Sequence, residues 1–237
     1  MLHDALNLEL VTLPGVAAAW PAPLSLAVAL NEVVLIEGAN PAMAEPLLDV
    51  AAALQSPLGG QVRHWDQNPE TLPRAELYHL RSRIAYISPR QVLLHRLRLS
   101  ENIALAPCYH QGCSESEALE PHADLLEYLK LHAHLDQFPG QVSAAVYTKA
   151  VWARELLKEP ELILASTSGD PAGTAMLVEV LRDSLALYRA AVIVLGESLE
   201  PFYPLGHRLL RLESGQLLKM PVLEYRTRPL TAYLPLI

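Results

Sequence analysis

The sequence predicts an α/β domain with an inserted helical subdomain, and three observations carry this. Short apolar runs at 32–37, 161–165 and 191–195 have the continuous hydrophobicity of strands buried on both faces. Segments of helical periodicity alternate with them. Between about residues 89 and 157, helical segments follow one another with no strand between, which marks the insertion. The chain has 237 residues, 51% hydrophobic and 19% charged. That supports one domain over 1–237 with a large core and argues against disorder.

The elements follow in order. Residues 24–30 form a half-alternating apolar run. Residues 32–37 are a buried strand ending at Gly38. Residues 43–55 form a helix with Leu47, Leu48, Val50, Ala51 and Leu54 on one face. Residues 57–60 are a turn, 61–65 a strand, 68–73 a loop and 83–88 an alternating strand. Helical spacing returns at 99–106 and 115–135, where Leu119, Leu125, Leu126, Leu129 and Leu131 supply the apolar side. Ser143 opens a helix to Leu157. A strand at 161–165, a helix at 175–187 and a strand at 191–195 follow. Residues 209–212 and 216–218 flank Ser214 and Gly215 as a hairpin, and 220–237 is an extended tail.

Composition excludes several classes. With 18 Lys+Arg against 26 Asp+Glu the net charge is −8, which leaves no basic footprint for nucleic acid. The early apolar stretch 15–30 is broken by Pro21 and Pro23 and is too short to span a bilayer. His3, Asp4 and Glu9 precede it instead of a basic region, so no signal peptide is expected. Cys108 and Cys113 are the two cysteines; they make no disulfide framework and point to a reducing compartment. With His110, His132 and His134 they could form a metal clip, but their spacing favours two ordinary thiols. No metal site is expected. Ser166, Ser168 and Asp170 raise nucleophilic catalysis, yet no G-x-S-x-G elbow exists.

A resemblance emerges from the residues between these elements. Arg83, Ile84, Ala85, Tyr86 and Ile87 are followed by Leu93 and Leu94, then by Ser100, Glu101, Asn102 and Ile103. Phe138 and Pro139 lead to Val142 and Ser143. Ala153, Arg154, Glu155, Leu156 and Leu157 precede Pro160, Glu161, Leu162, Ile163 and Leu164. Arg208–Leu212 with Gly215 closes the series. Their order and spacing over about 24–219 resemble the ATPase subunit of an ABC transporter. The resemblance implies a P-loop fold, here an ABC ATPase-like α/β fold with its helical subdomain at about 89–157. A narrower stretch, Arg74, Glu76, Leu77, Tyr78, Arg81 and Arg83, resembles the ATPases of Mla/Mce-type phospholipid transporters.

The family's catalytic positions hold other residues. A phosphate-binding loop needs glycines, a Lys and a Ser or Thr. Here it holds Gly38, Asn40, Ala44, Glu45 and Pro46, with Ala44 at the Lys position and Glu45 at the hydroxyl position. Pro89 stands at the Q-loop glutamine, with Gln91 two residues late. The signature keeps Ser143 and has Ala144 and Ala145. Ser166 and Thr167 replace the metal Asp and catalytic Glu, and Gly196 replaces the switch His. These losses imply a pseudo-ATPase, with no catalytic residues, no ATP and no other cofactor.

The resemblance further implies a structural or regulatory subunit of an ABC transporter, with phospholipid as cargo. It would pair with a second ATPase-like chain or itself. It would bind a permease through Pro89, Arg90, Gln91, Leu93, Leu94, Arg96 and Leu97, at the cytoplasmic face of a bacterial inner membrane. Membrane contact would come only through the permease. The alternatives are a nucleotide-sensing regulator, an active ATPase with an unrecognised site involving Asp170 or Glu197, and a soluble scaffold. Ser143 is expected as a helix N-cap and Trp20 as a packed core residue.

Overall fold

The parallel strands of this chain meet at a single edge, and most of the expected site lies there. The computed structural model describes residues 4–15, 20–167, 170–187, 189–213 and 216–221. The expected turn at Ser214 and Gly215, Ser168, and most of the tail at 220–237 lie outside the described residues.

In chain order the elements are β1 (Asp4–Thr12), β2 (Leu24–Ala29), β3 (Val33–Glu37), α1 (Pro41–Ala51), β4 (Gly59–His64), α2 (Arg74–Ser82), β5 (Ile84–Ile87), α3 (Leu99–Gln111), α4 (Glu115–Leu119), α5 (Ala123–Tyr128), α6 (Ala144–Leu156), β6 (Leu162–Ser166), α7 (Pro171–Leu187), β7 (Ala191–Gly196), β8 (Arg208–Glu213) and β9 (Gln216–Lys219). The main sheet has the order β5-β6-β7-β3-β8-β9. Its first five strands are parallel, and β9 closes it antiparallel to β8. A smaller antiparallel sheet has the order β2-β1-β4.

The main sheet is buried on both faces, which is why its strands lack polar alternation. Val34 and Ile36 face one core, shared with α1 and the small sheet. Val33 and Leu35 face the other, shared with α3, α6 and α7. Helices α3 to α6 all lie between β5 and β6 in the chain.

Several boundaries differ from expectation for physical reasons. The helix expected over 115–135 is two short ones, α4 and α5, because Pro121 interrupts the ladder between them. Helix α1 ends at Ala51 rather than 55. Ala53 then takes a left-handed conformation, φ 55°, and its carbonyl accepts from Arg81 Nε at 3.0 Å. Helix α7 starts four residues early, at Pro171, a favoured opening residue. Strand β1 and helix α2 were not anticipated.

Candidate functional site

Four strand ends and a helix start converge at the carboxyl edge of the parallel strands, where open α/β sheets place their ligands. Strand β3 ends at Glu37, which is buried and accepts from Leu199 N, Tyr203 Oη and Arg211 Nη2 at 3.1, 2.7 and 3.3 Å. Gly38 follows with φ 90°, and a Cβ there would stand 2.9 Å from the Leu212 carbonyl. Only glycine fits so close an approach without strain. Asn40 then caps α1, its Oδ1 accepting from Met43 N at 3.0 Å. Trp20 is 3% exposed and donates from Nε1 to the Met43 carbonyl at 3.0 Å, so it is packed, as expected.

Ala44 is buried, and Glu45 behind it is 2% exposed. Glu45 is the hub of the edge. Its carboxylate accepts from Tyr86 Oη at 2.6 Å and Ser166 Oγ at 3.3 Å, and also from Ser88 Oγ. Arg90 Nη1 lies 3.7 Å away. Tyr86 Oη also stands 2.8 Å from Asp49 Oδ1. Burial first, and then the two carboxylates, push the Tyr86 phenol far above its ordinary pKa. It therefore stays protonated and remains a donor. The carboxylate at the expected hydroxyl position is thus tied to the ends of β5 and β6.

A second buried carboxylate holds the other side of the segment after β5. Glu155, 4% exposed on α6, accepts from Tyr86 N at 3.2 Å and Gln91 Nε2 at 3.1 Å. Two cations compensate it: Arg154 Nε at 3.2 Å and Lys158 Nζ at 2.5 Å. Arg154 also donates to the Val92 carbonyl at 2.8 Å. Residues 88–92 are thus pinned to α1 through Ser88 and to α6 through Gln91.

Six of the expected positions share one cleft of about 480 Å³, within the range of small-molecule sites, while Gly38, Asn40, Ala44, Glu45, Pro46, Ser143 and Gly196 are not in its lining. Pro89, Gln91, Ala144, Ala145, Ser166 and Thr167 all line it. Gly196 adjoins Thr167. A Cβ at Gly196 would collide with Thr167 Oγ1 and Leu199 Cδ2, and its carbonyl accepts from Ala39 N at 3.2 Å. Pro46 lies inside α1. Ser143 caps α6, accepting from Val146 N at 3.4 Å, and is exposed. Among the described residues no group of three or more His, Cys, Asp or Glu is placed to hold a metal.

The surface expected to meet a permease is only partly as read. Leu93 is 1% exposed, its backbone N–H held by Tyr147 Oη at 2.7 Å. Leu94 and Val92 are exposed, at 49% and 65%, and Arg90 and Arg96 are exposed too. Leu97 is half-buried. Leu105 and Tyr109 of α3, which sequence reasoning missed, border a second cavity of about 420 Å³ with Arg154, Glu155 and Lys158. Periodicity could have found Leu105, since it lies off the buried face of Leu99 and Ile103. The Arg74–Arg83 stretch makes local contacts: Arg74 Nε to Tyr78 Oη at 2.8 Å, and Arg83 to both Glu161 oxygens at 2.7 Å and over the Trp65 ring at 3.6 Å.

No family model matches the chain. It is 30% identical over 204 residues to the lipoprotein-releasing system ATP-binding protein LolD 2 of Chlorobaculum tepidum, covering 82% of this chain and 81% of that one. It is 26% identical over 208 residues to the arginine transport ATP-binding protein ArtP of Escherichia coli K12, covering 85% of each. Among solved structures, an ATP-binding subunit of an ABC transporter matches 98% of this chain and 97% of its own, with a TM-score of 0.77 and 21% identity. A post-hydrolysis dimer of the cassette MJ0796 bound to ADP and Pi matches 92% of this chain and 98% of its own, with a TM-score of 0.77 and 20% identity.

Two expectations fall to these findings. The sequence reading expected no enzyme and no ATP or other cofactor. The relatives that share most of its length are ATP-binding proteins, and a structural neighbour was solved with ADP and Pi in place. The expectation rests on the side chains at Ala44, Glu45, Ser166, Thr167 and Gly196 and on Pro41 and Pro46, which have no N–H to offer. Phosphate can also be held by main-chain N–H groups at a helix start, although here Pro41 has none and those of Met43 and Ala44 are bonded to Asn40.

Proposed function

Because the chain belongs to the ATP-binding subunits of ABC transporters, we propose that it binds ATP at the cleft between the ends of β5 and β6 and the starts of α6 and α7 and drives a permease as one of a pair of cassettes. The meeting of the ends of β5 and β6 with the starts of α6 and α7 around that cleft is the observation that carries this reading. Glu45 would repel a phosphate if it stood free. Three hydroxyl donors occupy its oxygens instead. Arg90, whose side chain is 69% exposed, brings to this edge a positive charge that Ala44 lacks.

The permease would dock at Val92, Leu94, Leu105 and Tyr109, around the 420 Å³ groove. An amphipathic helix fits such an apolar floor with the charged rim of Arg154 and Lys158. Residues 89–157 would then be the subdomain that couples nucleotide to permease, on the cytoplasmic face of the membrane. The cargo class that best suits the Arg74–Arg83 resemblance is a lipid, and one relative is a lipoprotein-releasing protein. The test is titration of the purified chain with ATP and Mg²⁺, followed by phosphate release from the transporter it co-purifies with. Saturable binding below millimolar ATP and steady phosphate release are expected. No binding at several millimolar overturns the reading.

A further inference from the structure

One face of α6 forms a wall of the 480 Å³ cleft. Ala145, Thr148, Lys149 and Trp152 all line it, as residues three and four apart on a helix do. Among the described residues, two charged side chains line the cleft, Lys149 and Asp170. Asp170 already serves the start of α7, its Oδ2 accepting from Gly173 N at 2.8 Å. Lys149 is half-buried, and its ammonium makes no ion pair or hydrogen bond among the described residues. Its neighbours along the helix face, Ala145, Val146, Trp152 and Ala153, carry no charge. The nearby cations are answered by contrast. Arg90 faces Glu45 at 3.7 Å, and Arg154 and Lys158 meet Glu155 at 3.2 and 2.5 Å. The start of α6 adds to the imbalance. It opens on neutral Ser143 with no acidic residue in its first turn, so the positive end of its dipole has no counter-charge. A helix end and an ammonium, both positive, thus face one cavity without an anion.

We propose that Lys149 is the anion-binding residue of this cleft, and that its ligand is the phosphate chain of a nucleotide. The inference rests on the ATP-binding reading above and names the side chain that holds the ligand there. An ammonium offers three N–H donors and no acceptor, which suits the oxygens of a polyphosphate. The Asp170 carboxylate repels phosphate from the α7 side, so the chain is held against α6. A half-buried charge without a partner is a cost to the fold, and an anion in the cleft removes it.

The experiment uses two readouts on the whole chain. The first is calorimetric titration with ATP and Mg²⁺. Lys149→Ala should weaken binding by about 10- to 100-fold, and Lys149→Arg should keep most of it, since the charge stays. Both variants should melt as the parent does, because the ammonium bonds to nothing in the described chain. The second readout needs no nucleotide. The lysines of the chain are Lys130, Lys149, Lys158 and Lys219, and acetylation by acetic anhydride can be mapped at each by mass. Inorganic tripolyphosphate should slow acetylation at Lys149 and leave the rates at exposed Lys130 and Lys219 unchanged. If the parent binds ATP and Lys149→Ala binds it equally well, the proposal is overturned and the ATP reading stands. If tripolyphosphate protects Lys149 in a chain that binds no ATP, the ATP reading is overturned and Lys149 remains the anion site. Acetylation at Lys149 that neither ATP nor tripolyphosphate slows overturns the proposal in either case.

Discussion

At the scale of single residues, His64 sets an acid limit on the fold. Its ring is fully buried, and Nε2 donates to the Ala51 carbonyl at 2.7 Å. Burial is the main cause that brings its pKa down from 6.5 to about 4. A lowered histidine pKa means that the unfolded chain takes up the proton first. Stability from this group is complete above about pH 6.5 and is lost as pH falls towards 4, by about 3 kcal/mol. Urea midpoints should therefore hold steady above neutrality and fall across that window. His64→Gln should flatten the fall, and an unchanged slope would show that other groups set it. Little of this was legible in the sequence. His64 is one of nine histidines, and its partner is a carbonyl thirteen residues away. Glu45 teaches the same lesson. Its charge and place in the loop were legible, but Ser88 and Ser166, which neutralise its reach, are 43 and 121 residues distant.

At the scale of elements, Asn102 shows how one side chain fixes a loop. It is fully buried at the start of α3. Its Oδ1 accepts from Leu94 N at 2.7 Å, and its Nδ2 faces the carbonyls of Leu94, Leu97 and Arg98 at 3.0, 3.1 and 3.0 Å. Asn102→Ala strands these buried backbone groups and should cost about 2–4 kcal/mol. Hydrogen exchange at the Leu94 amide should rise more than at the sheet amides. Equal change everywhere would mean a global rather than a local loss. The buried parallel strands were legible because both faces are apolar. Strand β1 was not, although Leu6 and Leu8 alternate with Asn7 and Glu9. Register shifts at Leu8/Val11 and the left-handed Leu10 break its period of two. Helix α2 was missed although Leu77 and Leu80, three residues apart, pack against the core; in nine otherwise mostly polar residues that stripe is short.

At the scale of the whole molecule, the question is how two cassettes meet, and Ser143 separates two roles that one residue can hold. As the cap of α6 it needs an oxygen that accepts from a backbone N–H, and Asp serves that need as well as Ser does. As a contact for nucleotide held by a partner cassette it must be neutral, because a carboxylate there would face phosphate at close range. Ser143, Ala144 and Ala145 are all exposed, so nothing among the described residues hides this end of α6. Ser143→Asp should leave the melting temperature within a degree or two of the parent, since a charge at a helix start is favourable. It should also abolish ATP-driven pairing, read as the loss of a dimer peak by light scattering in Mg²⁺ and ATP. Ser143→Ala should do the opposite, losing about 1 kcal/mol with the cap while pairing persists. If Ser143→Asp pairs as the parent does, this end of α6 faces no phosphate. The cap is then its whole role.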